Sequence, residues 1–88
     1  MKPKYSAAIT RCSTETCIDV YFSQPLAPET KKKLKELGNY EGITVLNSHI
    51  GEGVRILLKP VWDSNTVVEE IVTILVSEGF DRASILVK

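Results

Sequence analysis

No stretch of this chain approaches the ~18 consecutive apolar residues of a membrane-crossing helix, so no such helix is expected. Met1-Lys2-Pro3-Lys4 is not followed by a signal-peptide core, and the expectation is a soluble, cytoplasmic protein. Net charge is missing too. Eleven basic residues balance eleven acidic ones, so nothing draws the whole chain to phosphate backbones or anionic membranes. Histidine occurs once, which excludes a histidine cluster. Two cysteines are too few for the disulfide framework of a small secreted domain, or for a four-ligand zinc site. The chain also lacks a G-x-x-x-x-G-K-[ST] loop, a G-x-G-x-x-G loop, paired catalytic carboxylates and any readable nucleophile–base constellation. Neither a cofactor nor an enzymatic activity is expected.

What is present is an ordinary globular composition, 43% hydrophobic and 25% charged over 88 residues. That length allows one domain, which buries roughly 60–65% of its unfolded surface. A single α+β domain over residues 1–88 is therefore expected, with residues 1–4 disordered.

The organising stretch is 42–61, two runs of apolar and β-branched residues around Gly51-Glu52-Gly53. Glycines flanking a short turn reach positive φ without a Cβ clash, which reads as a hairpin. With Gly51 and Glu52 as the loop, His49 faces Val54, Asn47 faces Ile56, Val45 faces Leu58 and Ile43 faces Pro60. The other side then pairs Ser48 with Arg55, Leu46 with Leu57 and Thr44 with Lys59. A three-residue loop would exchange the faces of the first strand, because side chains alternate with period two. The two-residue loop is the working register.

Before this hairpin, Tyr5 to Arg11 reads as a short strand, with Tyr5, Ala7 and Ile9 on one side. Ile18 to Ser23 is a stronger one, its Ile18, Val20 and Phe22 alternating against Asp19 and Tyr21. A turn through Ser13–Thr16 joins them, an unbroken bulged strand being the alternative. Pro25 and Pro28 end the second strand, and Pro28 suits a first helical turn. A surface helix is expected over Glu29 to Leu37, closed by Gly38-Asn39 and weakly anchored by Leu34 and Leu37, with Glu29–Lys33 and Lys32–Glu36 pairs. After the hairpin, Trp62-Asp63-Ser64-Asn65-Thr66 supplies several possible N-caps; Thr66 with Glu69 fits a capping box, and Ser64 is the next choice. Val67 to Glu78 is the main core helix, striped by Val68, Ile71, Val72 and Leu75 and widened by Val67, Ile74 and Val76. Gly79 stops it, Phe80 folds back, and Ala83 to Lys88 is a last strand.

From the second strand on, the order is βαββαβ. The expected fold is a split βαβ, or ferredoxin-like, sandwich with two helices on one face of an antiparallel sheet, plus an extra short N-terminal strand. A long helix ending in Glu78-Gly79-Phe80-Asp81 before a strand is similar to ACT and heavy-metal-associated domains. The resemblance covers roughly Cys17 to Lys88 and rests on element order alone.

The sharpest chemical feature is Cys12 and Cys17, which bracket a four-residue turn and could face each other as two free thiols, a disulfide or redox pair, or a soft-metal pair. Heavy-metal-associated domains use C-x-x-C between the first strand and first helix; this C-x₄-C precedes the corresponding strand, so the motif does not carry over. His49 is read as hydrogen-bonded to backbone at a strand end. Lys31, Lys32, Lys33 and Lys35 form a basic patch, read chiefly as a solvated face. Nucleic acid is not an expected partner, because Val54, Ile56 and Leu58 stand where an RNA-recognition sheet would carry aromatics. Tyr21, Leu46, Leu57 and Arg55 are the candidate interface on the sheet face away from the helices, and Trp62 is read as a core plug. The expected function is a non-enzymatic protein-binding or regulatory module that uses its open sheet face or an edge strand, with a protein or a second copy as partner. The alternatives are a thiol-based redox or metal response through Cys12/Cys17, and weak nucleic-acid binding through helix 29–37.

Overall fold

The computed structural model describes residues 6–12, 16–47 and 53–88. Their element order is β1 (Ala7–Arg11), β2 (Cys17–Phe22), α1 (Pro28–Lys35), β3 (Ile43–Asn47), β4 (Gly53–Leu58), α2 (Ser64–Ser77) and β5 (Ile85–Val87), with short 3₁₀ turns at Glu36–Asn39 and Arg82–Ser84. No helix among these residues is long and apolar enough to cross a membrane.

The α+β class agrees with the expectation, but the sheet does not. Five strands run in the order β3-β4-β2-β1-β5, and the sheet is mixed, because β5 lies parallel to β1 while the other pairs are antiparallel. A split βαβ would set the last strand directly beside β2. Here the N-terminal strand occupies that edge, so β5 docks on β1. The cause is local: a short turn closes the β1–β2 hairpin, and sequential strands pair before distant ones. β1 also brings Ala7 and Ile9 into the core.

Alternation sorts the strands into two faces. Ala7, Ile9, Ile18, Val20, Ile43, Val54, Ile56, Leu58 and Ile85 all point to one side and are buried there with Leu34, Leu37, Val67, Val68, Ile71, Val72 and Leu75 from the helical segments. Both helices thus cover a single face. At about 25 cal/mol per Å² of apolar surface removed from water, this layer is the main source of stability.

The hairpin faces are as expected, but the pairs are displaced. Asn47 opposes Val54, Val45 opposes Ile56 and Ile43 opposes Leu58, so each partner lies two residues from its expected position. A slip of two preserves the faces, which explains why burial follows the working register while the pairing does not. Leu46 consequently stands opposite Arg55, and Leu57 opposite Thr44. The turn itself, with His49, Gly51 and Glu52, lies outside the described residues, as do residues 1–4 and Tyr5.

Helix ends differ in instructive ways. α2 starts at Ser64 because Asp63 is its cap: the carboxylate accepts from the Asn65 N–H at 3.2 Å and from the Thr66 hydroxyl at 3.4 Å. Aspartate outperforms the expected threonine here, since an ionised acceptor also meets the helix dipole. Val76 is 42% exposed and does not widen the core stripe. At the other end Gly79 adopts φ +100°, the Gly79 N–H donates to Val76 O and the Phe80 N–H to Leu75 O, a Schellman closure that swings Phe80 onto Phe22. α1 ends earlier than expected, and its last turn tightens into the 3₁₀ segment that contains Gly38. It is also better anchored. Thr30, Leu34 and Leu37 are buried, and Lys33 reaches Glu78 at 3.0 Å in place of Glu29.

Candidate functional site on the open sheet face

The remaining alternate residues form the second face, and among the described residues no helix packs on it. The registers set them out in rows across the sheet. Cys12, Cys17, Leu57 and Thr44 make one row; Thr10, Asp19, Arg55 and Leu46 make the next; Ala8, Tyr21 and Gly53 make the third, with Leu86 beside Ala8.

The central row carries the only charges that the strands display on this side, and these two are bonded to each other. Arg55 Nε donates to Asp19 Oδ1 at 2.7 Å and Nη2 to Oδ2 at 3.2 Å, a bidentate fork. Asp19 is the more covered partner, its side chain 14% exposed against 47% for Arg55. The hydrogen bond and then the charge of Asp19 hold the guanidinium above its ordinary pKa, so it stays protonated. Leu46 and Leu57 flank the fork, 44% and 39% exposed, with Tyr21 half-buried on the row below.

Tyr21 sits opposite Gly53 for a steric reason. A Cβ on residue 53 would fall 2.3 Å from Val20 O, so β2 and β4 approach as they do because a glycine is there. Tyr21 thus pairs across the strands with a position that has no side chain of its own.

The first row holds a disulfide. Cys12 and Cys17 are bonded, with a Cα–Cα distance of 5.4 Å, and the Cys12 N–H donates to Cys17 O at 3.0 Å. The turn reading of 12–17 is therefore correct in its ends, while residues 13–15 lie outside the described set. A bridge over so short a loop restricts the unfolded chain little, by about 2 kcal/mol on the chain-entropy account. An Asp19 carboxylate oxygen and the two sulfurs lie within 4.8 Å of one another, the one such donor cluster among the described residues. In the bonded state the sulfurs are not metal-binding thiolates.

Other candidates are placed elsewhere. Lys31, Lys32, Lys33 and Lys35 lie on α1, against the covered side of the sheet, with Lys33 engaged to Glu78. The basic patch and the sheet-face residues are not one site. Trp62 is half-buried at the core margin, its Nε1 donating to Glu41 O at 2.7 Å and its ring meeting Tyr40 edge-on at 5.8 Å. A groove of about 640 Å³ runs between the β2–α1 connection and the end of α2, lined by Phe22, Gln24, Leu26, Thr30, Glu78 and Phe80 among others. Glu78 there is occupied by Lys33 and by the Thr30 hydroxyl at 3.4 Å, and Asp81 caps the Ala83 N–H at 3.1 Å.

Asp19 is the site residue that sequence reasoning missed. Its signal was indirect: an acid at an alternating strand position, whose partner is fixed only once β2 is known to lie beside β4.

No protein-family model, curated protein or solved structure matches the chain. The likeness in element order to ACT and heavy-metal-associated domains has no match behind it, and the inserted β1 departs from the strand order it implied.

Proposed function

We propose that the chain is a small non-enzymatic interaction module whose open sheet face packs against the same face of a second copy. The observation that carries this reading is the charge arrangement. Removing an unpaired charge from water costs several kcal/mol, whereas a bidentate pair already satisfied within one copy can be covered without leaving an orphan. Within the strand spans, Asp19 and Arg55 are the only charges on this face and they satisfy each other, while Lys59, one residue past β4, alternates onto the same side at its margin. Two such faces meet with no unpaired charge at their centre, and Leu46, Leu57 and Tyr21 supply the apolar contact.

Size sets the strength. Five strands about 4.8 Å apart and about five residues long offer roughly 400 Å² of projected face. Even allowing for corrugation this is below the ~800 Å² per partner of a stable complex, so the association is weak and concentration-dependent. Light scattering across a concentration series tests it. The apparent mass of the unmodified chain should rise with concentration, and the rise should vanish in Leu46→Glu and Leu57→Glu. Val45→Pro discriminates edge pairing, because Val45 alternates with the residues that ladder to β4 and its N–H points to the outer edge of β3. Loss of association in Val45→Pro with retention in the leucine variants would assign the contact to the edge. A constant monomer mass at all concentrations would remove the self-association reading altogether.

A further inference from the structure

We propose that the Cys12–Cys17 disulfide is an exchangeable two-electron site, opened by a small thiol at Cys12, with Cys17 as the leaving and resolving sulfur. The inference concerns the monomer, because the bond shares a row with Leu57 on the face that the proposed association would cover, and it does not require that association.

Three observations support it. First, the fold does not depend on the bond. β1 is held by five antiparallel pairs to β2 and three parallel pairs to β5, and the hairpin end is closed by the Cys12 N–H to Cys17 O hydrogen bond. The bridge stabilises by restricting the unfolded chain, modestly for so short a loop, and these strand pairs do not require it, so both redox states are taken to share one backbone. Second, the bond lies on the face that carries no helix; Cys12 is half-buried there, and Cys17 is the more covered of the two. Access is what makes a disulfide exchangeable, so the less covered sulfur is the one to be attacked. Third, the two sulfurs are not equivalent. Cys17 lies between β1 and β4, in a row with Leu57, and the β2–β4 ladder continues past it through the Leu58 N–H to Thr16 O bond at 2.8 Å. Among the described residues Cys12 pairs with β2 only, the β1–β5 pairs running from Ala7 to Ile9. An incoming sulfur on the bond axis then meets Cys12 on the side with no described strand partner, whereas the same approach to Cys17 runs over β4 and Leu57.

The chemistry balances with a low-molecular-weight thiol as reductant. Its thiolate attacks Cys12 Sγ, forming a mixed disulfide and breaking the Sγ–Sγ bond; the electron pair leaves on Cys17 Sγ, which takes up the proton that the thiol lost. A second thiolate attacks the external sulfur of the mixed disulfide and releases Cys12, which is protonated in turn. Overall, one protein disulfide and two thiols become two protein thiols and one small-molecule disulfide, with two electrons transferred. In the oxidising direction Cys17 attacks the mixed disulfide at Cys12 and closes the bond.

Glutathione and its disulfide are the probes. The oxidised chain, equilibrated with reduced glutathione and alkylated, should convert to the dithiol form, as read by mass spectrometry, with unchanged far-UV circular dichroism. Cys17→Ser should form its glutathione adduct on Cys12 about tenfold faster, or more, than Cys12→Ser forms one on Cys17. Native-state alkylation of the reduced, unmutated chain, followed by peptide mapping, should give the same order and guards against a variant that fails to fold. A bond that persists in about 10 mM glutathione, a chain that unfolds on reduction, or a Cys17 as reactive as Cys12 would each overturn the proposal.

Discussion

The two faces of this sheet are built from the same strands, residue by alternate residue, and they obey different rules. The centre of the covered face is aliphatic: Ile9, Ile18, Val20, Val54 and Ile56 are wholly buried, with Arg11, Phe22, Asn47 and Val87 at its margins. The open face holds a disulfide, a forked ion pair, a tyrosine opposite a glycine and two exposed leucines. Packing alone accounts for the first set, since a close-packed interior tolerates little else. It does not account for the second, where polar residues would serve as well for folding. The proposed association rests on this difference.

Adjacent residues of β4 break this comparison most sharply. Ile56→Ala should cost about 3 kcal/mol in chemical denaturation, the usual range for a fully buried aliphatic truncated to alanine. Gly53→Ala comes next at about 2 kcal/mol, because its Cβ meets the fixed carbonyl of Val20 and the two central strands must part. It is the one open-face position expected to behave like core. Leu57→Ala, one residue from Ile56 on the opposite face, should change stability by less than about 0.5 kcal/mol while weakening association. Were Leu57→Ala to cost as much as Ile56→Ala, the contrast between faces would be lost.

The Asp19–Arg55 fork gives a prediction in pH. The folded-state pKa of Arg55 is raised, so its contribution is fully present below the unfolded value and is lost only as pH climbs through the folded one. Both lie far into the alkaline range, so the stability difference between the unmodified chain and Arg55→Gln should be flat from about pH 7 to about pH 10. A difference that changes across that window would mean that Asp19 is not the main partner of Arg55, and that Tyr21, which also raises the Arg55 pKa, carries more of the interaction.

Much of this was legible in the sequence where one period decides the outcome. Alternation placed Ile18 and Val20 inward and Asp19 and Tyr21 outward, and the helical stripe of Val68, Ile71, Val72 and Leu75 was readable for the same reason. What resisted was anything set by competition between distant segments. The edge of β2 that β5 would take is occupied by β1, and no local pattern in Tyr5 to Arg11 announces this. Hairpin register failed by two residues because the alternation is blind to even shifts. The candidate leucines were placed on the correct face, yet Asp19 was missed, because its role comes from a strand 36 residues away.

A dilution series followed by two-dimensional amide NMR tests the central claim most directly. If the open face meets a second copy, raising the concentration towards about 1 mM, where an association of only about −4 kcal/mol becomes visible, should move the amides of Thr10, Asp19, Arg55 and Leu57 together and leave those of Ile71 and Leu75 in place. Shifts confined to the lysines of α1 or to the outer edge of β3, or no shifts at all, would contradict it.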